Sequence, residues 1–200
     1  MASATRSSEI TPITLEAGDL RLRPFTEADE AAVREAMADP GILSWAAGLA
    51  VNEAAPADRG RIWLLPRLTG WSSGVAPFAI TDAADGTLLG YLGLRDVHRV
   101  PDQAVAAYWT TPAARGRRVA ARALDAAAVW AFAPTAEDGL AVHRISLDHS
   151  LVNAASCRVA ERAGFRAEGV MRGSFVAPDG ARHDSHLHAR LATDPAAPAF

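Results

Sequence analysis

Tyr108-Trp109-Thr110-Thr111-Pro112-Ala113-Ala114-Arg115-Gly116-Arg117-Arg118-Val119-Ala120 is the stretch on which the reading of this chain turns. The residues from about Ala104 to Thr110 read as a strand, Pro112 to Arg117 as a basic turn, and the run to about Ala133 as a helix. The apolar stripe of that helix is Val119, Ala120, Ala123, Leu124, Ala127 and Ala131, with Arg118, Arg122 and Asp125 on the wet side. The first turn of a helix carries N–H groups without intrahelical partners and the positive end of the dipole. Such a turn can hold a phosphate or pyrophosphate, and Arg115, Arg117 and Arg118 add charge-assisted donors. A solvated basic helix start fits the same residues, and one glycine with three arginines does not choose between the two.

Downstream, His143 to Leu147 reads as a strand, and Asn153 caps a helix from about Ala154 to Ala163 that Gly164 ends. Two strands, about 165–172 and 184–191, close the chain around Pro178-Asp179-Gly180. Upstream, Leu20-Arg21-Leu22-Arg23 alternates as a strand, and Thr26 with Asp29 forms a capping box. The helix it opens runs to about Ala38, where Asp39-Pro40-Gly41 ends it. Residues 42–75 yield only a short helix near Arg61 to Leu68, with Trp45, Trp63 and Trp71 open to either an acceptor pocket or core packing. Phe78-Ala79-Ile80-Thr81 and Leu88 to Leu94 flank a turn at 82–86, a hairpin. This order of strands and helices implies an α/β (α+β) single domain over 11–192, with loose ends at 1–10 and 193–200.

Composition narrows the class. The 200 residues are 50% hydrophobic and 22% charged, enough for a sizeable core. A net charge of -3 argues against nucleic acid or an anionic membrane as partner. All 20 basic residues are arginine and none is lysine, so no side-chain amine is available as a base or Schiff-base former. The single cysteine, Cys157, rules out an internal disulfide and fits a reducing, cytoplasmic setting. No apolar run reaches the length of a membrane span, and no secretory signal opens the chain.

The order of the two cap-bearing segments, with Asn153-x-x-Ser156 followed by Glu161-x-x-Gly164-Phe165, resembles the GNAT superfamily of acetyl-CoA-dependent N-acetyltransferases. Within it the chain looks most like the RimJ/RimL-type branch, over about residues 13–192, including the opening Leu20-Arg21-Leu22-Arg23-Pro24-Phe25-Thr26-Glu27-Ala28-Asp29. The family's Arg/Gln-x-x-Gly-x-Gly/Ala loop matches Arg115 and Ala120 at its ends, but Arg118 stands where its glycine belongs. Val105 replaces the glutamate frequent on the preceding strand, and Ala160 the tyrosine acid of many relatives.

The resemblance implies a mixed, mostly antiparallel twisted sheet of about seven strands with about four helices, two strands splayed at the cofactor. It implies acetyl-CoA as cosubstrate, bound by Trp109, Thr110, Arg115, Gly116, Arg117, Arg118, Val119, Ala120, Asn153 and Ser156, with Ser156 also the catalytic donor to the departing thiolate. The acceptor it implies is a primary amine, either a protein N-terminus or a small molecule, and it leaves a homodimer open. Asp96, His98 and Glu53 are base candidates by chain region only, each more simply read as a surface residue. Cys157 reads as inert rather than as a nucleophile. His186 and His188 share a strand face, a spacing zinc could use, but with no acidic or cysteine partner in view the reading is no metal. A non-catalytic acyl-CoA-binding module on the same scaffold is the competing reading.

Overall fold

The computed structural model describes residues 9–200. Most of the expected 1–10 tail lies outside the described residues, while Ile10 is buried and its N–H donates to Trp71 O at 2.7 Å. Among the described residues eight strands form one open sheet: β1 (Leu15–Ala17), β2 (Leu20–Pro24), β3 (Ala76–Asp82), β4 (Leu88–Arg95), β5 (Gln103–Thr110), β6 (Arg144–Ser150), β7 (Arg166–Val176) and β8 (Arg182–Leu191). Their order is β1-β2-β3-β4-β5-β6-β8-β7. Every pairing is antiparallel except β5 with β6. The strand beyond the expected seven is β1, three residues paired with β2 and too short to leave a periodic signal.

Among the described residues six α-helices cover the two faces: α1 (Glu30–Ala36), α2 (Pro40–Trp45), α3 (Leu49–Glu53), α4 (Arg59–Leu68), α5 (Val119–Phe132) and α6 (Ala154–Arg162). The excess over about four comes from residues 40–53. Asp39-Pro40 does end α1, and it also opens α2. Asp39 Oδ1 accepts the Ile42 N–H at 2.9 Å and Pro40 takes the first helical position, where its missing N–H costs nothing. The Thr26–Asp29 capping box forms as read, although its first turn is a 3-10 turn that hands over to α1. Gly60 lets α4 lie against α1, since a Cβ there would meet the Arg34 backbone at 2.6 Å.

Alternation along the strands divides the interior into two cores. On one face Leu20, Leu22, Phe78, Ile80, Leu92, Leu94 and Ile145 pack under α5 and α6 with Leu124 and Phe165. On the other, Tyr91 and Trp109 meet Phe25 from the turn after β2, Met37 from the end of α1, and Val33, Trp63 and Leu64 from α1 and α4. All six apolar positions of the α5 stripe are buried, and Asp125 on its other side reaches Arg190 at 2.6 Å. Trp63 and Trp71 are core residues, 1% and 5% exposed, which settles the choice left open for them in favour of packing. No helix among the described residues is long and apolar enough to cross a membrane.

Candidate active site

The parallel pairing of β5 with β6 lasts for three residue pairs, Gln103↔Arg144, Ala104↔Ile145 and Val105↔Ser146. Beyond them the strands part. β5 stays tied to β4 as far as Thr110, and β6 to β8 as far as Ser150. The gap opens a cleft of about 580 Å³ lined by Ala106 to Thr110 on one strand and Leu147 to Ser150 on the other, a size that suits a small-molecule site. Ala120 from α5 and Asn153 with Ser156 from α6 complete one side of it. Trp45, Arg67, Tyr91 and Phe175 line the other.

The turn expected to face phosphate sits at the mouth of this cleft. Arg118 is the N-cap of α5 and has φ 59°, in the left-handed region. That backbone shape explains the glycine of the family pattern, and an arginine there bears strain of roughly 1–2 kcal/mol. Two of the three arginine side chains are engaged with acids. Arg115 Nη2 lies 2.5 Å from Asp39 Oδ1, and Arg117 Nη2 3.7 Å from Asp82 Oδ2. The Arg115 contact holds the Asp39 carboxyl below the usual carboxylate range. Arg118 is exposed. The turn therefore offers an anion the α5 backbone amides first, with Arg118 beside them.

Thr110 and Trp109, both among the residues expected to bind acetyl-CoA, part company. The Thr111 N–H donates to Leu89 O on β4 at 2.9 Å. Alternation sends the Trp109 N–H the same way and turns the Thr110 N–H toward the cleft. The Trp109 side chain packs on Trp63, ring centroids 5.3 Å apart.

Asn153 caps α6, its Oδ1 accepting the Ser156 N–H at 3.3 Å. The Ser156 Oγ lies 2.7 Å from the Tyr108 hydroxyl, which also approaches Ser156 O at 3.1 Å. Burial pushes the Tyr108 phenol well above its ordinary range, so it keeps its proton. Ala160, at the position of the absent family tyrosine, is fully buried; the hydroxyl near Ser156 comes from β5 instead. Sequence spacing gave no warning of this pair, because strand and helix are 48 residues apart.

None of the three base candidates lines the cleft. Asp96 pairs with Arg95 and Arg99, His98 Nε2 lies 3.0 Å from Leu140 O, and Glu53 belongs to α3. The carboxylate that does line it is Asp148, exposed on β6. Trp45 and Phe175, which also line the cleft, meet with centroids 5.6 Å apart. Arg67 lies over the Trp63 ring at 3.8 Å and donates to Trp63 O at 2.5 Å. Cys157 is half-buried beside Ser156, and burial raises its thiol. The partners that His186 and His188 lacked in the sequence are supplied by the fold, which brings His149 and Cys157 to the same place.

The sequence pattern of the acetyltransferase (GNAT) domain family matches residues 19–166. No curated protein sequence matches the chain. Similar solved structures include a RimL ribosomal L7/L12 alpha-N-protein acetyltransferase in complex with coenzyme A, 18% identical, TM-score 0.74, covering 90% of this chain and 98% of its own. A ribosomal-protein-S5-alanine acetyltransferase from Vibrio fischeri is 18% identical at TM-score 0.73, over 91% and 98% of the two chains. Mycobacterium smegmatis RimJ in complex with CoA-disulfide is 26% identical at TM-score 0.71, over 92% and 87%. With a family match over most of its length, this sheet and this parted strand pair, the chain belongs to the GNAT acetyltransferase family, an acyltransferase similar in structure to RimL and RimJ enzymes.

Proposed function

We propose that the chain transfers the acetyl group of acetyl-CoA to a primary amine by direct attack within a ternary complex. The observation that carries this reading is the Tyr108–Ser156 hydroxyl pair on the wall of a cleft whose strands have parted. The residues fit the cosubstrate: the Thr110 N–H faces the gap without a β6 partner, and the α5 amides stand at its mouth. Bound acetyl-CoA supplies the activated thioester. The turn Arg115 to Arg118 with Val119 and Ala120 holds the pyrophosphate, and Asn153 keeps the α6 end in place beside it.

The Thr110 N–H stabilises the oxyanion. Either hydroxyl of this pair can donate to the other; with the Tyr108 proton turned to Ser156 Oγ, the serine proton is free for the departing thiolate. Alternation on β6 puts Asp148 on the face opposite Leu147, toward α1 to α4, so the amine enters from the side of Trp45, Arg67 and Phe175. A free alkylamine is mostly protonated at neutral pH, and Asp148 takes that proton, directly or through water. The acceptor is a protein N-terminus or a small-molecule amine.

Calorimetry with acetyl-CoA followed by a thiol-release assay against a panel of amines and N-terminal peptides tests the proposal. Micromolar or tighter binding with amine-dependent thiol release is expected. Binding with no release against any amine would favour a sensor on this scaffold, and no binding at millimolar cosubstrate would end both readings.

A further inference from the structure

Four side chains from three elements converge behind Ser156. His149 on β6 is the direct cross-strand partner of His186 on β8, and His188 lies two residues further along the same face. Cys157 reaches them from the first turn of α6. The donor atoms all lie within 4.8 Å of one another. His149 Nε2 is 3.3 Å from His188 Nε2, and Cys157 Sγ is 3.8 Å from His188 Nε2 and 3.9 Å from His186 Nδ1. The edges of a zinc tetrahedron built from two nitrogens or from a nitrogen and a sulfur are roughly 3.3 and 3.6 Å. Three of the separations are within a few tenths of an ångström of those lengths.

The hydrogen bonds around the cluster decide which atoms are free to ligate. His149 Nδ1 lies 3.0 Å from Ser150 O, and His188 Nδ1 lies 3.4 Å from Phe165 O. A carbonyl oxygen only accepts, so each Nδ1 carries the ring proton. Both Nε2 atoms are then bare lone pairs, 3.3 Å apart, in residues that are 6% and 0% exposed. In the two neutral rings so oriented no proton lies between these nitrogens, and two acceptors so placed repel. A cation between them removes that conflict. Backbone carbonyls holding the outer nitrogens of ligating histidines are also the usual orienting shell of a metal site.

We propose that His149, Cys157, His186 and His188 form a tetrahedral site for zinc or a similar borderline-soft divalent cation. Thiolate and imidazole are the ligands such ions prefer, and the half-buried Cys157 and His186 leave an entry path from solvent. Binding releases the Cys157 thiol proton to solvent, one per chain, and the three imidazoles bind as neutral rings. Four protein ligands leave no open coordination position, so the ion acts as a fastener and not as a Lewis acid. It ties the start of α6, and with it the residue next to Cys157, to β6 and β8.

Cobalt titration of the full chain, purified without a polyhistidine tag and stripped with chelator, tests the site. The expected result is one Co²⁺ per chain, with the visible bands of a tetrahedral ion and a thiolate-to-cobalt charge-transfer band in the near ultraviolet. Zn²⁺ should displace both. Cys157→Ser should abolish the charge-transfer band, and His186→Ala should weaken Co²⁺ binding by roughly 100-fold or more; both sites are half-exposed, and circular dichroism checks that the variants fold. Absence of the bands with excess Co²⁺ would overturn the proposal. So would a charge-transfer band that persists in Cys157→Ser, or Co²⁺ affinity unchanged in His186→Ala.

Discussion

The Tyr108 hydroxyl lies 2.7 Å from Ser156 Oγ and joins the inner edge of a central strand to the first turn of α6. A tyrosine next in sequence to a core tryptophan thus has its hydroxyl in the cleft, because alternation sends Tyr108 to the α6 side and Trp109 to the α4 side. If this pair delivers the proton to the leaving thiolate, Ser156→Ala should slow turnover roughly 10- to 100-fold and Tyr108→Phe by a smaller factor. The KM for acetyl-CoA should move little in either. Steady-state kinetics with both substrates varied checks this, and unchanged turnover in Ser156→Ala would remove it from the mechanism.

Asp148 is the carboxylate that lines the cleft, on the side we propose for the acceptor. Asp148→Asn should lower turnover at neutral pH by about 10-fold or more. The deficit should shrink as pH rises toward the acceptor's own ammonium pKa, about 8 for an α-amine and about 10.4 for a lysine-type amine. A pH–rate profile of the variant against the parent reads this directly. A constant ratio at all pH values would give Asp148 a role other than proton acceptance.

Arg118 holds φ 59° at the head of α5. Arg118→Gly relieves roughly 1–2 kcal/mol of left-handed strain and adds back up to about 1 kcal/mol of unfolded-state entropy. The expected net is a gain of about 0.5–1 kcal/mol, seen as a higher urea midpoint at unchanged slope. A loss of stability would mean that the Arg118 side chain contributes more than its backbone costs.

Asp29, 7% exposed, receives Arg23 Nη2 at 2.7 Å and Nη1 at 2.8 Å, with the Thr26 N–H at 2.8 Å. Burial raises its carboxyl, but the Arg23 and Thr26 bonds together outweigh it and hold the group below the ordinary range. A carboxyl lowered in the folded state stabilises fully above its unfolded pKa of about 3.9 and loses that contribution as pH falls through the folded value. Asp29→Asn should therefore cost about 1.5–3 kcal/mol at pH 7 and progressively less below about pH 4. Urea unfolding at pH 7 and pH 3 measures the difference, and equal costs at both would refute the assignment.

The parts of this chain written in local signals could be read from the sequence. The run from Ala104 to Ala133 and the Asn153-capped helix carry their caps, stripes and glycine stops within a few residues of each other, and β5, α5 and α6 fall where those marks lie. Asp39-Pro40 reads as a stop because a proline ends helices; the same pair is also a helix start, and only the packing of α2 chooses. Short helices such as α3, five residues long, have too few turns for periodicity to register. The Tyr108–Ser156 pair and the meeting of His149 with Cys157 were out of reach for another reason. Both depend on strand register and on which sheet face α6 covers, and neither leaves a trace in local spacing.

The three residue pairs between β5 and β6 have a consequence for the protein's endurance as well as its chemistry. Five strands lie on one side of that seam and three on the other. Past Val105 and Ser146 no backbone ladder crosses the seam. A molecule seated there bridges two half-sheets, so its binding energy becomes folding energy, growing by about 1.4 kcal/mol for each tenfold excess over its Kd. Under the proposed function the concentration of free acetyl-CoA would then set how long the chain survives heat or protease, and the seam would be the first line to part when it is scarce.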